Sequence, residues 1–284
     1  MKGALPTIAS FWYGSDLSWL EALCIRSYLD NGHRFVLYTA HPVAGVPDGV
    51  DLRPATDILW PAPFDISDND RRRVAVFSDI FRLRMSKETD FIWVDLDAYC
   101  VRPFRFETAH VFGRAQSGQF PSGVLRLPAD SAALDLLLDF VTGPNPIQPW
   151  RGARLHRLQR AAIARGEHWG IDALPWGCSG PKALGYFLQQ TGEDGFAQPA
   201  EVFYPLASDA LWQLHDPRVQ PRDIEREGVC SVHVYGHQKK WLATAMSGLP
   251  VTGSYLDHLC RRHGVEPQMN PITPLAWVVP DSDK

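Results

Sequence analysis

The first forty residues narrow the fold more than any other stretch. Thr7 to Tyr13 (TIASFWY) is an apolar run of strand length. From Asp16 to Asn31, apolar residues return at Leu17, Leu20, Leu23, Cys24 and Tyr28, a helical spacing that Asn31-Gly32 brings to an end. Arg34 to Thr39 (RFVLYT) is a second strand. A strand, a helix and a strand in that order predict two parallel strands joined by a right-handed crossover.

The alternation continues. Residues 41–65 are rich in Pro, Gly and Asp and read as loops with one short strand. Ser67, three residues before Asp70, is a helix-start signal, and the helix is expected to run to about Ser86, with Phe77, Phe81 and Arg84 along one side. Arg71-Arg72-Arg73 reads as a solvated helix start. Further strands are expected at Phe91–Asp97, Ser122–Leu127 and Val229–Tyr235. Further helices are expected at Ser131–Val141, Arg151–Gly166, from Pro181 to Gln190, through Met246 after the last strand, and at Ser254–His263. The Pro-rich tail after Glu266 is expected on the surface, with Trp277, Val278 and Val279 able to dock. The fold class is therefore α/β, a central mixed, mostly parallel sheet flanked by helices.

Composition excludes several classes. A net charge of −4 over 284 residues gives no basic surface for nucleic acid. Five scattered cysteines, Cys24, Cys100, Cys178, Cys230 and Cys260, with no CxxC, point to a reduced, cytoplasmic chain. Pro6 interrupts the first apolar stretch, so no signal peptide is expected. No apolar run approaches the roughly 20 residues of a membrane span, so any membrane contact would be peripheral.

Chemistry concentrates in two places. In FIWVDLDAYC (Phe91–Cys100) a buried strand runs into two carboxylates. Alternation along a strand would project Asp95 and Asp97 to one side and return Leu96 to the core. Paired carboxylates of this kind suit a hard divalent ion, Mn2+ or Mg2+; the plain alternative is a solvated strand end. Asp79 and Arg82, just upstream, form an i, i+3 pair on one helix face. In HVYGHQKKW (His233–Trp241), His233 offers an imidazole ligand, Gly236 permits close backbone approach to a phosphate, and Lys239 offers a point charge. Trp12 and Tyr13, at the end of the first strand, could stack on a base. Of the ten tryptophans, Trp176 is the one kept as a sugar platform.

FSDIFR followed by FIWVDLDAYCVRPF resembles the DXD region of glycosyltransferases related to family 32, and HVYGHQKKW resembles the H-x-x-G-x-x-K-P-W element of family 8, with Lys240 where that pattern has Pro. FPSGVLRL (Phe120–Leu127) and PWGCSGPKAL (Pro175–Leu184) are similar to a donor-pocket strand and to a T-G-P segment near the acceptor. The resemblance implies a Rossmann-like A-type glycosyltransferase fold, akin to capsular or lipopolysaccharide galactosyl- and glucosyltransferases. It implies a retaining, metal-dependent transfer of a hexose from a UDP-sugar to a glycan, a lipid-linked or another hydroxyl acceptor. Residue by residue it assigns Ser78, Asp79 and Arg82 to the donor sugar, Asp95 to sugar, ribose and metal, Asp97 and His233 to the metal, Gly236 and Lys239 to the diphosphate, and Gly180 and Pro181, with Trp176, to the acceptor side. It also implies one catalytic domain over 1–284, with a nucleotide-sugar half at 1–110, an acceptor-side half completing the metal site at 111–245, and a C-terminal helix and tail at 246–284.

Two other readings stay open. A haloacid-dehalogenase-type phosphohydrolase also places D-x-D after an apolar strand, though near its first strand and without a residue like Tyr99. A non-catalytic carbohydrate-binding relic would keep the fold without turnover.

Overall fold

The computed structural model describes residues 4–67 and 70–273; Trp277, Val278 and Val279 lie outside them. The apolar runs assemble into a five-stranded sheet, β1 (Ile8–Trp12), β2 (Phe35–Thr39), β3 (Val50–Pro54), β4 (Ile92–Val94) and β6 (Val124–Leu125), in the order β3-β2-β1-β4-β6. β1, β2, β3 and β4 are mutually parallel, and β6 runs antiparallel to β4. A second, two-stranded sheet pairs β5 (Ala98–Cys100) with β7 (Ser231–His233). The longer helices are α1 (Trp19–Asp30), α2 (Arg71–Glu88), α3 (Ala132–Thr142), α4 (Ala153–Ala164) and α5 (Pro181–Thr191). Two single turns, α6 (Ala200–Phe203) and α7 (Pro221–Ile224), precede α8 (Gly236–Ala245) and α9 (Tyr255–His263).

Strand alternation divides the core. Ala9, Phe11, Val36, Tyr38 and Trp93 pack with Phe77, Phe81, Leu134 and Leu184 of α2, α3 and α5. Their strand neighbours Ile8, Phe35, Leu37, Ile92 and Val94 point the other way and pack with Ile25 and Tyr28 of α1 and with Phe104 and Phe203. Both sheet faces are covered, which is why these strands are apolar at nearly every position. The far side of α1 (Trp19, Leu20, Leu23) forms a third cluster with Leu242 of α8 and Leu256 and Leu259 of α9.

Three expectations change. The first helix starts later than expected: α1 begins at Trp19 with Ser18 as its cap, while Asp16 bridges to Ala44. α2 is capped by Asp70, whose carboxylate accepts the Arg73 N–H at 3.0 Å, and not by Ser67. The arginine run is not free in solvent. Arg72 donates to the Leu174 carbonyl, and Arg73 pairs with Asp172 at 3.0 Å, tying α2 to the turn at 171–174. All five cysteines are unbridged. Among the described residues no helix is long and apolar enough to cross a membrane.

His33 links the start of the chain to the segment after β5. Its Nδ1–H donates to the Pro6 carbonyl and its Nε2 accepts the Phe104 N–H, each at 2.9 Å. This is the neutral ring. Burial lowers the His33 pKa, against a raising effect of the Pro6 bond. A lowered histidine contributes stability that is complete above the unfolded value, about 6.5, and is lost as pH falls through the folded one. We expect the urea midpoint to drop on acidification below about pH 6.5, and His33→Gln to flatten that slope while lowering the midpoint at pH 7.5. Parallel slopes in the two proteins would remove His33 from the acid response.

Candidate metal and donor site

The sheet order places one crevice. From β1 the chain builds outward to β2 and β3, then returns to place β4 on the other side of β1. The strand order reverses between β1 and β4, and open α/β sheets bind ligands beyond the carboxyl ends at such a point. Trp12 ends β1, and Asp95 follows β4 directly.

Asp95 and Asp97 do not belong to a continuous strand. β4 stops at Val94, and Asp95–Asp97 form a tight turn in which the Ala98 N–H donates to the Asp95 carbonyl at 2.9 Å. The turn holds the two carboxylates together while Leu96 is buried. The chain then switches sheets. β5 pairs antiparallel with β7 so that Ala98 lies opposite His233, and the Val234 N–H donates to the Asp97 carbonyl at 2.8 Å. This register, 135 residues away in sequence, is what sets the imidazole against the carboxylates. One ligand atom from each of Asp95, Asp97 and His233 lies within 4.8 Å of the others, and His233 Nε2 is 3.2 Å from Asp97 Oδ1.

The groups fit a divalent cation. Asp95 Oδ1 accepts from Trp93 Nε1 at 2.8 Å and is 3.2 Å from Arg82, which fixes the carboxylate. The other oxygen, Oδ2, faces His233 across Gly123. A Cβ at Gly123 would collide with the imidazole, 2.8 Å from Nδ1, and would stand 3.1 Å from Asp95 Oδ2. His233 Nδ1 is buried with no hydrogen-bond partner among the described residues. Burial raises the Asp97 pKa; His233 opposes this, and the Asp95 charge adds to it. Burial thus leaves the Asp97 carboxylate under-neutralised by the protein's own cations, as a cation site requires. Two carboxylates and an imidazole suit Mn2+ or Mg2+.

Beside this cluster stands Arg82, 6% exposed. It donates to the Ser122 carbonyl at 2.6 Å, pairs with Asp79 at 3.4 Å, and stacks 4.6 Å over Trp93. Ser78 accepts from Arg82 through its hydroxyl and its carbonyl. Asp79 accepts from Ser179 Oγ at 2.6 Å and lies against Gly180, where a Cβ would approach its carboxylate to 2.9 Å. Burial raises the Asp79 pKa against the pull of Arg82 and Ser179.

The other candidates are placed as follows. Lys239 lies 5.6 Å above the Trp12 ring and is paired with buried Glu21 of α1. Trp12 donates to the Asp16 carbonyl. Tyr13 turns away, donating to the Ile66 carbonyl and packing against His41 and Trp60. Gly236 opens α8 directly after Tyr235, whose φ of 67° is left-handed for a bulky residue. Such strain, of about 1–3 kcal/mol, persists only where surroundings enforce it. Gly180 and Pro181 begin α5, so Gly180 backs Asp79, and Trp176 stands 64% exposed at the surface.

Sequence reasoning left out Trp93, Ser122, Gly123 and Glu21. For Glu21 a signal existed. Ser18-x-x-Glu21 is a capping-box pattern, and the carboxylate falls inside the apolar stripe of α1. For Ser122, whose carbonyl is the group used, none did.

No protein-family model matches the chain, and no curated protein matches it. Among solved structures it is similar to one titled PaToxG Glycosyltransferase, with 14% identity and a TM-score of 0.44 over 67% of this chain and 71% of that one.

Gly123→Ala must displace the His233 ring. We expect its Mn2+ affinity, read by metal-dependent shifts in thermal unfolding, to fall about 10–100-fold. Undiminished Mn2+ stabilisation would separate His233 from the metal.

Proposed function

We propose that this chain is a metal-dependent glycosyltransferase that moves a hexose from a nucleotide-diphosphate sugar, with UDP as its nucleotide, to a hydroxyl of a glycan or lipid-linked acceptor. The observation that carries this reading is the meeting of Asp95, Asp97 and His233 at the carboxyl end of β4, with the Asp79–Arg82 pair directly beside them. The resemblance of the same segments to DXD glycosyltransferases agrees with it, and retention of configuration rests on that resemblance alone.

Asp95, Asp97 and His233 would hold Mn2+ or Mg2+. When bound, such an ion offsets the negative charge that develops on the leaving diphosphate. Lys239 would add a second positive charge on that side, swung from Glu21 or shared with it. Arg82 is engaged by two backbone carbonyls, the Ser78 hydroxyl, two carboxylates and an indole face, so it holds the Asp79 and Asp95 carboxylates ready-made for sugar hydroxyls. Fixed groups of this kind require little reorganisation when the anomeric carbon gains positive charge. Trp12, at the carboxyl end of β1, offers its ring to the base.

The decisive measurement is calorimetric titration of UDP with and without Mn2+, wild type beside Asp97→Asn. Binding should appear only with Mn2+ and vanish in the variant. Equal Mn2+-dependent affinity in both proteins would refute the metal assignment, and turnover of a generic phosphate ester without UDP binding would favour the phosphohydrolase. Arg82→Lys keeps the charge and loses the planar fork. It should leave UDP affinity within a few-fold and lower transfer by roughly tenfold or more, about 1.4 kcal/mol in the barrier. A wild-type turnover number would take Arg82 out of the donor-sugar role.

A further inference from the structure

The helix α4 departs from the rest of the molecule. None of its 12 residues is buried. Leu155, His156, Gln159, Ala162 and Ile163 are half-buried and face the protein. The opposite face carries Arg154, Arg157, Leu158, Ala161 and, one residue past the helix end, Arg165, with Arg151 and Arg160 at its flanks. From Arg151 to Gly166 there are five arginines and no Asp or Glu, in a chain whose net charge is −4. Several arginines elsewhere are committed to acids: Arg53 to Asp51, Arg82 to Asp79 and Asp95, Arg114 to Asp194. The side chains of Arg151, Arg154, Arg157 and Arg160 make no hydrogen bond or ion pair among the described residues. Leu158, in the middle of that face, is 59% exposed.

We propose that the outward face of α4 docks on an anionic phospholipid surface. Arginines in a row supply long-range attraction to negative headgroups, and their stems lie along the interface while the guanidinium groups stay at headgroup level. An exposed leucine among them is what an interfacial helix inserts, and what a face meant only for water or for a phosphate backbone has no use for. The overall acidic balance of the chain confines the attraction to this face and so orients the molecule.

The inward face of α4 is tied to the segment that leads to the candidate site. His156 of α4 bonds the Gln148 carbonyl at 2.8 Å, and the Gln148 side chain reaches Cys178 at 2.6 Å. Trp176, two residues before Cys178, is exposed, and Ser179, one residue after it, holds Asp79. The docking itself does not depend on the transferase reading.

The test is co-sedimentation of the full chain with vesicles of phosphatidylcholine alone or with about 30 mol % phosphatidylglycerol, at roughly 0.1 M and roughly 0.5 M salt. Wild type should partition onto the anionic vesicles at low salt, and about tenfold less onto neutral vesicles or at high salt. Arg154→Glu with Arg157→Glu should lower partitioning at least about tenfold, and Leu158→Ser severalfold. Arg218→Glu, on an exposed arginine elsewhere that pairs with Asp216, should leave partitioning unchanged. Since the side chains of Arg154 and Arg157 have no hydrogen-bond or ion-pair partner among the described residues, the thermal melt of the double variant should be unchanged; should it melt lower, Arg154→Gln with Arg157→Gln carries the comparison. Indifference of wild type to phosphatidylglycerol, or equal partitioning of the variants, would overturn the proposal. Retention on heparin without vesicle binding would overturn it too and assign the face to an acidic polysaccharide.

Discussion

The guanidinium of Arg82 is the junction on which the candidate site depends. It rises from α2 and is met by the Ser122 carbonyl before β6, the Asp95 carboxylate after β4, Asp79 one turn back on its own helix, and the Trp93 ring. A charge this deeply buried is tolerable only when every side is answered. The same set of bonds that satisfies the arginine also fixes the angle of α2 on the sheet and the position of both carboxylates. Truncating such a group would leave two acids without their cation, which in buried pairs costs about 3–5 kcal/mol. Stability and site geometry are therefore one arrangement.

The second constraint is the change of sheet at Asp95–Asp97. The main sheet ends β4 after three residues because the chain must turn there, and the outgoing β5 pairs with β7. That turn exposes two carboxylates at the reversal of strand order, and the β5–β7 register delivers His233 to them. Gly123 completes the arrangement by absence, since any side chain there would stand where the imidazole does. Tyr235, left-handed and packed 4.3 Å from His233, marks how tightly the segment into α8 is held. Its hydroxyl pKa is pushed up to about 12, by burial first and the Asp97 charge second.

Around this rigid centre the charges are unevenly used. Near the crevice, cations are bound to acids: Arg82 to Asp79 and Asp95, Lys239 to Glu21. On α4 they are left free. The contrast separates positive charge that builds a site from positive charge that faces outward.

Much of the fold was legible in the chain itself. Apolar runs of strand length, the helical spacing of α1 with its Asn31-Gly32 end, and the stretches at Ser131–Val141 and Ser254–His263 located the elements, because these signals are local. D-x-D after an apolar run, with Asp79 and Arg82 one helix earlier, marked where chemistry would gather. Residues 192–228 escaped, since their short turns carry no periodicity. So did the pairing of Glu21 with Lys239, which rests on a contact between distant segments; the cap at Asp70 is local, three residues from the N–H it accepts, and was passed over for Ser67. The sequence by itself determined which elements exist and which residues could bind a cation or a sugar. Only the tertiary structure decided that Asp97 meets His233, that Gly123 must lack a side chain and that Gly180 backs Asp79, because strand register and the packing of α2 on the sheet are set by the whole core and by no local pattern.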